Sequence, residues 1–88
     1  MKFKDKVVVI TGVSSGIGEA SAIQFAKKGS NVVLVGRRKE KLFELEKKLS
    51  KYNILTLICT CDVSNKLQVK EMAKKVLEKF GRIDILVN

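Results

Sequence analysis

Four aliphatic runs, set apart by charged segments of helical periodicity, limit this chain to very few folds. Val7 to Thr11, Asn31 to Val35, Ile54 to about Cys61 and Ile83 to Val87 read as strands, and their ends near Thr11, Gly36, Cys61 and Val87 are spaced 25, 25 and 26 residues apart. The first two runs are almost wholly aliphatic, as strands covered on both faces are. Between them, one helix reaches about Lys28 with Gly18, Ala22, Phe25 and Ala26 on one face, and a second, Lys39 to about Lys51, turns Leu42, Leu45 and Leu49 inward. The third, Asn65 to Phe80, carries Val69, Met72, Ala73, Val76 and Phe80 on one stripe, with Gly81 as its stop. Strand, helix and strand in units of this length predict a parallel sheet with right-handed crossovers. The fold class is α/β: a Rossmann-like doubly wound sheet of about four strands in the order 3-2-1-4, with three helices on its two faces. The first two helices fall on one face and the third on the other. That leaves apolar surface and a free strand-four edge, from which self-association, a homo-oligomer, is expected.

Eighty-eight residues suit one domain or part of one, with little stability to spare. The 18 Lys and Arg against 9 Asp and Glu give a net charge of +9, which raises the question of nucleic acid. The lysines, however, alternate with Glu40, Glu44, Glu46, Glu71 and Glu78, in i,i+4 pairs such as Glu44 with Lys48 and Glu71 with Lys75. These read as solvated helix faces, with no aromatic signature among them, and no nucleic-acid partner is expected. The apolar runs are too short to cross a bilayer, and Met1 to Lys6 leads into only four aliphatic residues, so neither a membrane span nor a secretion signal is drawn and a cytoplasmic protein is the expectation. Cys59 and Cys61, spaced CxC, are read as strand residues facing opposite ways and therefore as separate buried thiols; with no histidine in the chain, no metal site is expected.

The first strand runs into Thr11-Gly12-Val13-Ser14-Ser15-Gly16-Ile17-Gly18. A strand that reverses sharply into a helix leaves the first helical N–H groups unpaired at the positive end of the helix dipole, where an anion settles. Gly12 serves the tight turn, Gly16 exposes backbone to a pyrophosphate, and Gly18 permits close packing of the helix on the sheet. The spacing GxxxGxG differs from both GxGxxG and the P-loop, and by itself it also fits an ordinary strand-to-helix loop. The other strand ends, taken jointly, favour the cofactor reading. Arg37 and Arg38 follow strand two, Asp62 follows strand three and Asn88 follows strand four, although singly each also reads as a solvated turn, a turn cap or a chain end. In a 3-2-1-4 sheet these ends meet at the ligand crevice. A dinucleotide laid there places its pyrophosphate on the glycine turn and its adenosine ribose at the end of strand two. NAD-specific sites place a carboxylate at that end; here Gly36 stands there, followed by two arginines, which suits a 2′-phosphate, so that NADP(H) is expected, with NAD(H) as the alternative.

The combined motifs resemble those of the short-chain dehydrogenase/reductase family over the entire chain. Thr11-Gly12-x-x-x-Gly16-Ile17-Gly18 is similar to the family's TGxxxGIG turn, Asp62-Val63 to its adenine-contacting pair, and Ile85-Leu86-Val87-Asn88 to the lead into its NNAG motif. The resemblance implies that Gly12, Ser14, Ser15, Gly16, Ile17 and Gly18 lie on the diphosphate side, Arg37 and Arg38 at the 2′-phosphate, Asp62 and Val63 at the adenine, and Asn88 near the adenosine ribose. It implies hydride transfer between a nicotinamide and a carbonyl or alcohol substrate of unread identity. The family's catalytic asparagine, serine and Tyr-x-x-x-Lys would follow Asn88; Tyr52 has Thr56 four residues on and does not match, so no catalytic residue is assigned. Residues 1–88 are thus expected to be the N-terminal NAD(P)-binding part of one Rossmann-type domain, inactive alone. A cofactor-sensing module without turnover is the alternative. Gly12-Val13-Ser14-Ser15-Gly16 also fits the G-x-S-x-G elbow of α/β-hydrolases, but only one strand precedes it and no histidine base exists.

Overall fold

The computed structural model describes residues 2–13 and 15–88. Strand β1 (Val7–Ile10), helix α1 (Gly16–Lys27), β2 (Asn31–Gly36), α2 (Lys39–Leu49), β3 (Thr56–Thr60), α3 (Lys66–Phe80) and β4 (Ile85–Val87) alternate along the chain. The four strands form one parallel sheet in the order β3-β2-β1-β4. Both the order and the parallel sense follow the alternation of aliphatic and amphipathic segments. β3 and β4 are shorter than their apolar runs because Ile54, Leu55, Ile83 and Asp84 precede the ladder pairing as approach segments.

Period-two alternation splits the sheet's aliphatic residues between two cores. Val8, Ile10, Val32 and Leu34 pack with Ala22 and Ala26 of α1 and Leu42, Leu45 and Leu49 of α2. Val7, Val9, Val33 and Val35 pack on the other face with Met72 and Val76 of α3. At about 1.5–3 kcal/mol for each fully buried aliphatic side chain, this double burial is what fixes β1 and β2 at the centre. One expectation is corrected here. Cys59 and Cys61 lie together in the α3-side core and do not face opposite ways, because residues two apart on a strand share a face. Both thiols are free and buried, and burial raises the pKa of each above its ordinary value.

The end of the sheet where strands begin is closed by hydrogen bonds. The Asp84 carboxylate accepts from Val7 N–H at 2.8 Å while Asp84 N–H donates to Val7 C=O at 2.9 Å. The buried Ser30 hydroxyl donates to Phe3 C=O at 2.6 Å, and Phe3 meets Phe25 edge to face, their centroids 5.7 Å apart. Coverage is incomplete elsewhere. Among the described residues β4 pairs only with β1, Leu86 within β4 is 57% exposed, and Leu67 and Leu77 are exposed on α3. No helix among the described residues is long and apolar enough to cross a membrane.

Candidate functional site

The opposite end of the sheet gathers the polar strand ends. Thr11, at the end of β1, donates its backbone N–H to Val87 C=O at 2.9 Å, and its hydroxyl lies 3.3 Å from that carbonyl and 3.2 Å from Asn88 Oδ1. Asn88 is thereby held against the start of the glycine turn. Thr11 was not singled out as a site residue from the sequence; its polar side chain ending an aliphatic run was the available signal.

Gly12 has φ +66°, a conformation that side-chain-bearing residues rarely adopt, and it turns the chain out of the sheet. Its carbonyl accepts from Ser15 N–H at 3.1 Å and from the Ser15 hydroxyl at 2.9 Å. Ser15 is the N-cap of α1: its oxygen accepts from Gly18 N–H at 3.1 Å. The serine hydroxyl is therefore engaged within the turn. The N–H groups of Gly16 and Ile17 have no acceptor among the described residues, and they stand at the positive end of α1. A Cβ on Gly16 would meet nothing within 4 Å, so the chain's own packing leaves that backbone bare. A Cβ on Gly18 would lie 2.4 Å from Gly12 O. Gly18 is thus required by the backbone of the turn itself, a closer constraint than the helix-on-sheet packing expected of it. Ile17 is 81% exposed, its side chain projecting from the first turn of α1. Ser14 lies outside the described residues.

At the end of β2, Gly36, Arg37 and Arg38 border a cavity of about 240 Å³ whose remaining walls are Val13 from the glycine turn and Lys41 and Leu42 from α2. The glycine turn and the arginine pair, 25 residues apart, therefore share one surface. No carboxylate lines this cavity, and none of its three cations is in an ion pair among the described residues. Of these lining residues, Arg37 and Arg38 are expected at the site from the sequence, whereas Val13, Lys41 and Leu42 are not; Lys41, four residues beyond Arg37 at the start of α2, carries the one signal.

Asp62 follows β3. Its Oδ1 accepts from Ser64 N–H at 3.0 Å and from the Ser64 hydroxyl at 2.7 Å, while its own N–H donates to Gln68 Oε1 at 2.7 Å. The hydrogen bonds from Ser64, and to a smaller extent the nearby charge of Arg37, hold its carboxyl below the usual aspartate pKa. Cys61 N–H donates to Gly36 C=O at 2.8 Å, which brings the ends of β2 and β3 together. Asp62 thus caps its turn through Oδ1, and its Oδ2 has no hydrogen-bond partner among the described residues. Val63 beside it is 56% exposed and offers a flat apolar contact.

A sequence model described as short chain dehydrogenase matches residues 6–88. The chain belongs to the short-chain dehydrogenase family. An uncharacterised oxidoreductase of Staphylococcus epidermidis is 44% identical over 87 residues, which are 99% of this chain and 36% of that protein. The crystal structure of L-sorbose reductase from Gluconobacter frateurii, complexed with NADPH and L-sorbose, superimposes with a TM-score of 0.91 at 43% identity over 97% of this chain and 33% of that one. NAD+-bound xylitol dehydrogenase gives a TM-score of 0.93 at 30% identity, covering 98% of this chain and 33% of that one. The chain spans about a third of the length of these short-chain dehydrogenases. Its four parallel strands and three helices form a Rossmann-like α/β arrangement.

Proposed function

We propose that this chain is the N-terminal, dinucleotide-binding part of a single Rossmann-type domain in an NADP(H)-dependent short-chain oxidoreductase. The single observation that carries the cofactor choice is the carboxylate-free cavity at the end of β2, where Gly36 precedes Arg37 and Arg38, neither of them in an ion pair among the described residues. Family membership leaves the choice open, because one relative is complexed with NADPH and another with NAD+. The residues of this chain therefore have to decide it. A 2′-phosphate carries about −1.5 to −2 charges near neutral pH, by analogy with other phosphate monoesters, and guanidinium groups meet it in bidentate, charge-assisted bonds.

In this reading the diphosphate lies over Gly12, Ser14, Ser15, Gly16, Ile17 and Gly18 and takes the N–H groups of Gly16 and Ile17, which have no acceptor among the described residues. Arg37 and Arg38 hold the 2′-phosphate, Asp62 and Val63 border the adenine, and Asn88, fixed against Thr11, lies near the adenosine ribose. The nicotinamide supplies the hydride chemistry, moving hydride to or from a carbonyl or alcohol substrate. These 88 residues bind and orient; the proton-transfer groups belong to the rest of the protein, which works in the cytoplasm and as an oligomer.

The test is the ratio of kcat/KM for NADPH and NADH in the full-length protein and in the Gly36→Asp/Arg37→Leu variant. One sheltered charge-assisted contact of about 1.5–3 kcal/mol corresponds to roughly ten- to a hundredfold preference. The variant is expected to reverse the ratio, the aspartate accepting from a 2′-OH and repelling a phosphate. A Cβ at Gly36 would lie 3.2 Å from Cδ2 of Leu42, a fully buried core side chain, so Arg37→Leu alone serves as the unstrained companion. An unchanged ratio in both variants would leave the arginines as ordinary surface charge.

A further inference from the structure

The start of α2 breaks the local rules that the other two helices obey. α1 begins on Ser15 and α3 on Asn65, each of which accepts from the N–H three residues on. α2 begins on Arg38, whose side chain has nothing to accept with and makes no capping bond. Lys39 and Lys41 follow within the first turn, against Glu40 alone, so cations crowd the positive end of the helix dipole. The two lysines are placed differently. Lys39 Nζ lies 5.7 Å from the centroid of the Phe43 ring, and Lys39 does not border the cavity. Lys41 lines the cavity together with Gly36, Arg37 and Arg38.

We propose that Lys41 is a third cation for the 2′-phosphate and sets the strength of NADP(H) preference, at a cost in the stability of α2. The inference rests on the cofactor reading above. Arg37 and Arg38 both come from the strand-end side of the cavity. Arg38 is tied by its own backbone to the helix start, its carbonyl accepting from Lys41 N–H at 3.1 Å and from Leu42 N–H at 3.2 Å. Lys41 supplies the missing charge from the α2 side of the cavity, so that the phosphate is met from the strand end and from the helix. Its ammonium is a flexible point charge, suited to closing on a group the arginines have already oriented. A residue that breaks a local rule without a structural return is expected at a functional site.

Function and stability are therefore expected to move in opposite directions, which a merely structural lysine would not show. The experiment measures NADPH and NADH dissociation constants by calorimetry, and thermal midpoints without ligand, for full-length wild type, Lys41→Gln and Lys39→Gln. Lys41→Gln is expected to weaken NADPH about two- to fivefold, the scale of an exposed ion pair, and to leave NADH unchanged. Its ligand-free midpoint should be equal to or above that of wild type, because a cation has left the helix N-terminus. Lys39→Gln removes the same charge from the same turn outside the cavity, and should keep the wild-type NADPH to NADH ratio. Equal loss in both lysine variants means a general charge effect and overturns the proposal, as does an unchanged ratio in Lys41→Gln. If Lys41→Gln is silent while Arg37→Leu shifts the ratio, the role of Lys41 fails and the cofactor reading stands. If neither shifts it, the reading itself fails.

Discussion

Replacing Gly18 by alanine tests the tightest contact in the glycine turn. The added Cβ would lie 2.4 Å from Gly12 O, 3.0 Å from Gly12 C and 3.0 Å from Val13 Cα, all of them backbone atoms that no side-chain rotation can move aside. Gly12 O also accepts from Ser15 N–H and the Ser15 hydroxyl. Retreat of that carbonyl therefore lengthens two hydrogen bonds and pulls on the cap of α1. Overpacking costs about 1–3 kcal/mol, and a weakened hydrogen bond adds about 0.5–1.5 kcal/mol. Alanine recovers at most about 1 kcal/mol through its better helix propensity. The expected net loss is about 0.5–3.5 kcal/mol. Gly16→Ala is the matched control: its Cβ meets nothing within 4 Å, so stability should hold or rise slightly while dinucleotide affinity falls as the bare backbone is covered. Urea unfolding should place the Gly18→Ala midpoint below both wild type and Gly16→Ala at an unchanged slope. Coincident midpoints for the two alanine variants would refute the close-contact argument, since both substitutions make the same chemical change in the same turn.

Two further outcomes follow from the ends of the sheet. The Asp84 carboxyl is held below the ordinary aspartate pKa first by the hydrogen bond from Arg82 and next by that from Val7 N–H. A depressed folded-state pKa gives stability that is complete above the unfolded aspartate value and is lost as pH falls through the folded one. Asp84→Asn should therefore be less stable at neutral pH and show a shallower fall in acid; parallel urea-stability curves from pH 7 to pH 3 would contradict this. The unpaired outer edge of β4, with Leu86, and the exposed Leu67 and Leu77 of α3 should make the 88-residue chain self-associate. Sedimentation velocity should show concentration-dependent growth that Leu77→Lys and Leu86→Lys reduce, whereas a cooperatively folding monomer at high concentration would count against it.

The strand order could be read from the sequence because each feature that encodes it repeats. Val7 to Ile10 and Val32 to Val35 are apolar on every residue, and only a strand buried on both faces needs that. The leucines of α2 and the Met72–Val76 pair of α3 chose opposite faces by the direction of the crossovers. Misplaced details were those with no repeat behind them. The CxC pair was misjudged on a point of strand geometry, and the partition of Ser15 toward capping depends on one rotamer that spacing does not encode. Lys41 was hidden for a different reason. In sequence it is one of many lysines alternating with glutamates, and only its place in the cavity wall shared with Val13 and Arg37 distinguishes it from the others.

The hydrogen bonding of the two sheet ends differs in a way that relates stability to the proposed function. Where the strands begin, donors and acceptors are matched within the chain: Asp84 with Val7 in both directions, Ser30 with Phe3, Asp5 N–H with Gly29 C=O at 3.0 Å. Where they finish, matching stops short. Gly16 and Ile17 N–H, the second oxygen of Asp62 and the cations around Gly36 are left over among the described residues, while Thr11 fixes Asn88 beside them. Unmet donors cost little while water reaches them, and each becomes a directed contact when an anion displaces that water. Cooperative folding can then be carried by the closed end and the two buried cores, so that substitutions at the open end are free to alter what binds without first unfolding what binds it. Gly18 is the exception that locates the boundary, because there the open end and the folded backbone are in direct contact.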